Sequence, residues 1–279
     1  MLPFKIDLTG KTVVITGGGG VLCSEFAYAL AECGANIAVL DIKLENAQGV
    51  ADKIGGRAIA VQADVLSRES LENARKIIVE KFGVCDILIN GAGGNSPKCT
   101  ITQEYLSPED INNTDGMTFF DVLPENLRFV FDINFTGAFL TTQVFAKDMV
   151  NKKECAVLNI SSMNAFTPLT KIPAYSAAKA AVSNFTQWLA VYFSRVGIRV
   201  NAIAPGFFVS EQNRALLFDA DGKPTARANK ILAATPMGRF GEPHELLGAL
   251  LWLCSYEASS FVNGVVVPVD GGFSAYSGV

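Results

Sequence analysis

The 279-residue sequence predicts one α/β domain spanning residues 1–279, a doubly wound parallel sheet with helices on both faces. Three observations carry that reading. Short Val/Ile-rich runs alternate with longer helical patterns along the chain. The runs are apolar throughout, as strands buried on both faces must be. No internal repeat or low-complexity linker interrupts the series, and 49% hydrophobic against 18% charged residues allows one large core.

The elements follow in order. TVVIT is the first strand, and a glycine run at 17–20 leads into SEFAYALAECG, whose apolar spacing suits a helix. NIAVLD is a strand ending at Asp41, before a polar helix near 44–54. RAIAVQADV and DILINGAGG are strands, separated by the helix SRESLENARKIIVEKFG. PENLRFVFDINFTGAFLTTQVFAKDMV reads as one long helix, AVLNISS as a strand, AYSAAKAAVSNFTQWLAVYFSRVG as a second long helix and IRVNAIAPG as a strand. HELLGALLWLCS is the last helix and GVVVPVDGG the last strand. Residues 94–122 and 207–240 break the rhythm with polar, turn-rich sequence. Both follow strands, so both leave the carboxyl edge of the sheet, where ligands bind in this architecture, and they are expected to wall the substrate site.

Composition excludes several classes. With 23 basic against 27 acidic side chains there is no basic stripe, and nucleic acid is not an expected partner. MLPFKIDLTGK lacks the apolar core of a signal peptide, and no stretch reaches the roughly 18 apolar residues of a membrane span, so a cytoplasmic protein without a membrane partner is expected. Six cysteines show no CxxC pair, and His244 is the single histidine. No metal site is expected, and Ser-His-Asp hydrolysis would rest on that one residue. His244 follows a proline in GEPHEL and reads as a helix-start residue.

Strand, glycine-rich turn and helix come in the order that a dinucleotide pyrophosphate needs. Asp41 lies 25 residues after Thr16, where a carboxylate accepts hydrogen bonds from the adenosine ribose hydroxyls and repels a 2′-phosphate. No Lys or Arg lies between Thr16 and Glu32 to offset that charge, so NAD is preferred over NADP. In YSAAK, Tyr175 and Lys179 share one helical face, and an ammonium there favours the phenolate of a group that ordinarily titrates near 10. Ser162 stands 13 residues before Tyr175, at the end of AVLNISS.

TGGGG, Asp41, Asp64, NGAG at 90–93, Asn134 in FDINFTG, the Ser162/Tyr175/Lys179 set, PG at 205–206 and VDGG at 269–272 together resemble the short-chain dehydrogenase/reductase family, from about residue 8 to 275. The resemblance implies a Rossmann-like fold, catalysis by Asn134, Ser162, Tyr175 and Lys179, and a homotetramer assembled through the two long helices and the last strand. Tyr175 would protonate the developing alkoxide, Ser162 would hydrogen-bond it, Lys179 would hold the ribose and lower the tyrosine pKa, and Asn134 would hold a water. The cofactor would lie along Gly17, Gly19, Gly20, Val21, Leu22 and Asp41. It would continue past Asp64, Val65, Asn90, Gly91 and Ala92 to Pro205, Gly206, Phe208 and Ser210. Val21 and Cys23 depart from the family pattern, standing where its second and third glycines usually lie; Gly18, Gly19 and Gly20 are expected to let the turn accommodate Val21.

TGGGGVLCSEFA, NGAGGNSP, the long 94–122 segment and APGFFVSEQNR are similar to a branch of that family that interconverts D-fructuronate and D-mannonate. A sugar acid needs a cation or amide donors. Arg214, Gln212, Asn95 and Asn164 are the expected substrate contacts, with Arg214 first for the carboxylate; Asn213 and Lys98 also offer suitable groups, and Arg239 ranks lower. Another sugar-acid or polyol dehydrogenase of the gluconate 5-dehydrogenase kind, a 3-oxoacyl-carrier-protein reductase, and a non-catalytic NAD-binding regulator on the same fold remain alternatives.

Overall fold

The computed structural model describes residues 6–112, 115–209, 214 and 217–278. Seven strands form one sheet: β1 (Thr12–Thr16), β2 (Asn36–Asp41), β3 (Ala58–Gln62), β4 (Ile87–Asn90), β5 (Cys155–Ile160), β6 (Ile198–Pro205) and β7 (Val266–Val269). Every pairing is parallel, in the order β3-β2-β1-β4-β5-β6-β7. The strand order reverses between β1 and β4, and that switch point opens a crevice at the carboxyl ends of the strands.

Successive strand residues face opposite sides, and the helices divide accordingly. Val13, Ile15, Ile37 and Ile89 pack on Phe26 and Leu30 of α1 (Val21–Glu32) and on Leu250 and Leu253 of α8 (Leu247–Cys254). Val14, Leu40, Leu88 and Val157 pack on the other side, against α3 (Arg68–Phe82), α5 (Gly137–Met149) and α6 (Pro173–Tyr192) through Leu71, Ile78, Phe145, Met149, Phe185 and Leu189. Burying each such side chain stabilises the fold by about 1.5–3 kcal/mol, which anchors the strand ends that carry the site. Among the described residues the other α-helices named by their bounds are α2 (Leu44–Ile54), α4 (Pro124–Phe131), α7 (Ala226–Ala233) and α9 (Tyr256–Ser259). Among the described residues, no helix is long and apolar enough to cross a membrane.

The first long helix is not continuous. A π turn over Asp132–Thr136 separates α4 from α5, with the Gly137 N–H bonded to the Asp132 carbonyl. Apolar periodicity cannot register one widened turn, because the helical face is recovered on either side of it. The described residues of 94–122 form short 3₁₀ turns, Pro97–Cys99, Pro108–Asn112 and Phe119–Asp121.

Candidate active site

Thr16 ends β1 and ties together two glycine turns, its Oγ accepting the N–H groups of Gly91 (3.1 Å) and Ala92 (3.3 Å). The Gly19 N–H donates to Asp41 Oδ2 at 3.1 Å, and a Cβ on residue 19 would stand only 2.5 Å from that of Asn46. The turn therefore folds tightly against the end of β2 and the start of α2. Helix α1 begins at Val21 with Gly20 as its N-cap, with no side-chain cap and no acid in the first turn. Its first N–H groups thus stay available to an anion. A cleft of about 510 Å³ opens over them, lined by Gly17, Gly19, Gly20, Val21, Leu22, Cys23, Asp41, Asn46, Gly91, Ala92, Gly93, Ile160, Gly206, Phe207 and Phe208. A cradle without side chains in its floor, an open helix start and a carboxylate at its far end fit a dinucleotide.

Cys23 explains how the turn tolerates losing the glycine expected there. A methyl group on Gly91 would overlap the Cys23 sulfur, so the thiol occupies space that residue 91 leaves open. Burial pushes that thiol up to about 12, which makes it a packing group and no nucleophile.

The catalytic candidates gather behind the Ile160 and Gly93 part of the cleft lining. Ser162 follows β5 and caps the 3₁₀ turn Met163–Ala165, its Oγ accepting the Asn164 N–H at 3.2 Å. The serine proton is left to point elsewhere. Lys179, one helical turn beyond Tyr175, donates to the Ile160 carbonyl at 2.8 Å and lies 5.6 Å from the centre of the tyrosine ring. Burial pushes the ammonium down to about 8. Burial also raises the Tyr175 phenol, and the Ser162 hydroxyl opposes that rise. The net direction is upward and set by desolvation, rather than the lowering expected from Lys179.

The Asn134 side chain is committed to backbone partners. Its Nδ2 donates to the Gly94 carbonyl (2.7 Å) and the Val130 carbonyl (2.8 Å), while Oδ1 accepts the Gly94 N–H (3.2 Å). The carboxamide fastens the 93–95 turn to the π turn with both Nδ2 hydrogens engaged, which leaves Oδ1 as its atom for a water. Asn90 faces away from the cleft, with Nδ2 bonded to Thr142 Oγ (3.0 Å) and Asn159 Oδ1 (2.8 Å) in a buried network beneath the site. It pins β4 to β5 and α5. Asp64 accepts the Leu66 N–H, and Val65 is buried beside Gly137; neither lines the cleft. Pro205 is buried at the end of β6, and its neighbours Gly206 and Phe208 line the cleft.

The substrate contacts divide as well. Ser210, Gln212 and Asn213 lie outside the described residues. Asn95 donates to Thr100 Oγ within its own loop, and Arg239 forms a two-pronged pair with Glu245. Arg214 is exposed and stacked 5.4 Å over Phe218, and it lines neither the cleft nor the neighbouring cavity described below, because its ring partner belongs to its own segment. Asn164 is 6% exposed, and its Oδ1 has no hydrogen-bond partner. His244 sits exposed in the 3₁₀ turn before α8, 3.4 Å from Glu242. Asn46 and Phe207 line the cleft without having been anticipated; the first-turn position of Asn46, just after Asp41, was the available signal.

The short chain dehydrogenase family model matches residues 11–219, and the chain belongs to that family. It is an oxidoreductase of the Rossmann-like α/β class. An uncharacterised oxidoreductase of Haemophilus influenzae is 62% identical over 98% of this chain and 96% of its own length. The Bacillus subtilis protein named uncharacterised oxidoreductase UxuB is 52% identical over the full length of both. Among solved structures, a candidate D-mannonate oxidoreductase from Haemophilus, with bound NAD, superposes at a TM-score of 0.94 with 62% identity, covering 98% of each chain.

Proposed function

We propose that the protein interconverts D-fructuronate and D-mannonate with NAD as the hydride carrier. The observation that carries the reading is the gathering of Ser162, Tyr175 and Lys179 beside Ile160 and Gly93, which line a glycine-floored cleft that also holds Asp41. Gly17, Gly19, Gly20, Val21 and Leu22 would hold the pyrophosphate, Asp41 the adenosine ribose, and Lys179 the second ribose. Bound there, a nicotinamide supplies a hydride to a carbonyl carbon or takes one from a hydroxyl-bearing carbon.

The residues divide the remaining work. The Ser162 hydroxyl, its oxygen already engaged by the Asn164 N–H, donates to the substrate oxygen and fixes its position. Tyr175 gives that oxygen its proton during reduction and takes it back during oxidation. Lys179 keeps its ammonium near the ring while one of its three N–H bonds is held by Ile160. The sugar-acid substrate is supported by the 62% identity to the candidate D-mannonate oxidoreductase, and NAD by its bound cofactor and by Asp41.

The test is NADH oxidation followed at 340 nm with D-fructuronate, beside 5-keto-D-gluconate and an acetoacetyl thioester, each repeated with NADPH. Turnover confined to fructuronate and NADH is the expected result; turnover only with another ketone would keep the family chemistry and remove the substrate assignment. We further propose a cytoplasmic homotetramer. Six free cysteines agree with a reducing compartment. The exposed Phe139, Trp188 and Tyr192 on α5 and α6, and the fully exposed Phe261 beside β7, offer the apolar faces that such an assembly would cover.

A further inference from the structure

A second cavity, of about 410 Å³, adjoins the catalytic cleft. Phe207 lines both, and the two spaces are neighbours across that ring. Leu169, Thr170, Lys171 and Ile172, shortly before Tyr175 on the same stretch of chain, line it, together with Ala226, Arg227, Lys230, Ile231 and Ala234 of α7. Phe273, edge-on to Phe207 at 5.3 Å, closes the base. The 169–172 stretch leads directly into the first turn of α6, which carries Tyr175.

Its charge is lopsided. Three cations, Lys171, Arg227 and Lys230, face a single carboxylate, Glu104. Glu104 is held by Lys230 at 2.7 Å, and that pair bridges α7 to the long loop after β4. Among the described residues Arg227 forms no ion pair, and Lys171 acts on Glu104 only at longer range, Lys230 holding that carboxylate directly. Lys171 is nonetheless fixed at its backbone, its carbonyl accepting the Ile101 N–H at 2.8 Å. Arg227 stands in the first turn of α7, which Thr225 caps by accepting the Ala228 N–H at 3.2 Å. Two cations that line one cavity from different elements, each seated on an anchored backbone, offer charge-assisted donors to an anion.

We propose that Lys171 and Arg227 bind the substrate carboxylate while the carbonyl, several carbons away on the same molecule, lies at Tyr175. The assignment rests on the sugar-acid reading above and names the residues that enforce it. A keto sugar acid has its charge and its reacting carbon at opposite ends, and the two adjoining spaces accept those ends separately. Lys230 stays neutralised by Glu104, so it shapes the wall and contributes little net charge.

The experiment compares D-fructuronate with D-fructose, in which a CH2OH group replaces the carboxylate, using wild type, Lys171→Met, Arg227→Met, Arg227→Lys and the double variant. Losing one charge-assisted partner is expected to raise KM for fructuronate about ten- to hundred-fold, with kcat changed far less. Arg227→Lys should recover part of that loss. The kcat/KM for fructose and the fluorescence-measured affinity for NADH should stay at wild-type values in every variant, which shows that the fold and cofactor site are intact. The proposal is overturned if the variants lower both sugars equally or leave fructuronate unaffected. If wild-type enzyme ignores fructuronate but reduces 5-keto-D-gluconate, the substrate reading fails while the same comparison on that acid decides the subsite. If it reduces only uncharged ketones, both fall.

Discussion

The floor of the catalytic cleft and the loops that face it are built on opposite principles. On the floor, Thr16, Asn90, Asn159 and Lys179 are buried at the ends of strands or on α6, and each is locked by hydrogen bonds to a neighbouring element. Among the described residues of the loop at 94–122, Tyr105, Ile111, Phe119 and Phe120 are exposed and only short turns form. Chemistry common to many carbonyls needs a rigid frame, whereas selecting one carbonyl needs side chains that reach into solvent-filled space. Changes on the floor should therefore alter turnover or stability for every substrate, and changes in the walls should alter the ranking of substrates.

Tyr175→Phe is the severest break on the floor. It removes the proton carrier while keeping the ring, so turnover should fall about 10²- to 10⁴-fold while NADH binding, read by fluorescence titration, remains. A regulator without catalysis would lose little by the same change, and wild-type protein would then show no turnover to lose.

Lys179→Met probes the cost of the buried ammonium. In the folded protein the lysine titrates near about 8, below its ordinary value, so between that pH and about 10.4 the unfolded chain holds a proton that the folded chain has released. The wild type should gain stability as pH rises through this window, by about 3 kcal/mol at most, and the variant should lack that gain. Urea unfolding at pH 7 and pH 9.5 reads the difference. Equal pH dependence of the two proteins would contradict the depressed value.

Gly91→Ala tests the exchange of volume with Cys23. The added methyl overlaps the sulfur and lies 2.8 Å from the Thr16 carbonyl, so it should cost about 1–3 kcal/mol. Adding Cys23→Gly should return part of that loss, and a strictly additive double variant would show that the two sites do not share space. Asp41→Ser should improve kcat/KM with NADPH relative to NADH about ten-fold, since it removes a carboxylate that repels a 2′-phosphate. The smallest effect belongs to Arg214→Ala. Its guanidinium stacks on Phe218, and kcat/KM for fructuronate should stay within about two-fold of wild type; a large rise in KM would return the carboxylate to Arg214 and away from Lys171 and Arg227.

Much of the site was legible because it is written in local grammar. A strand ending in a glycine turn, an acid closing the next strand and a Tyr and Lys one helical turn apart are short-range patterns, and the fold places strand ends together at the switch point whatever the intervening loops contain. Asn90 and Asn134 were read by the same grammar, yet their carboxamides turned to Thr142, Asn159, Val130 and the Gly94 backbone. A polar residue at a strand end satisfies whichever partner burial brings nearest, and sequence does not say which side that will be.

By itself, then, the sequence determined the strand order's raw material, the glycine turn, the acid at the end of β2 and the Ser162, Tyr175 and Lys179 set. Those features depend on residues close in the chain or on an alternation repeated throughout it. Tertiary structure alone decided that Cys23 fills the space beside Gly91, that a π turn splits the helix at Asn134, and that Lys171 and Arg227, 56 positions apart in the sequence, face one cavity. Each of these is a meeting of surfaces from distant segments, and packing, which acts on shape and charge in space, is the only force that brings them together.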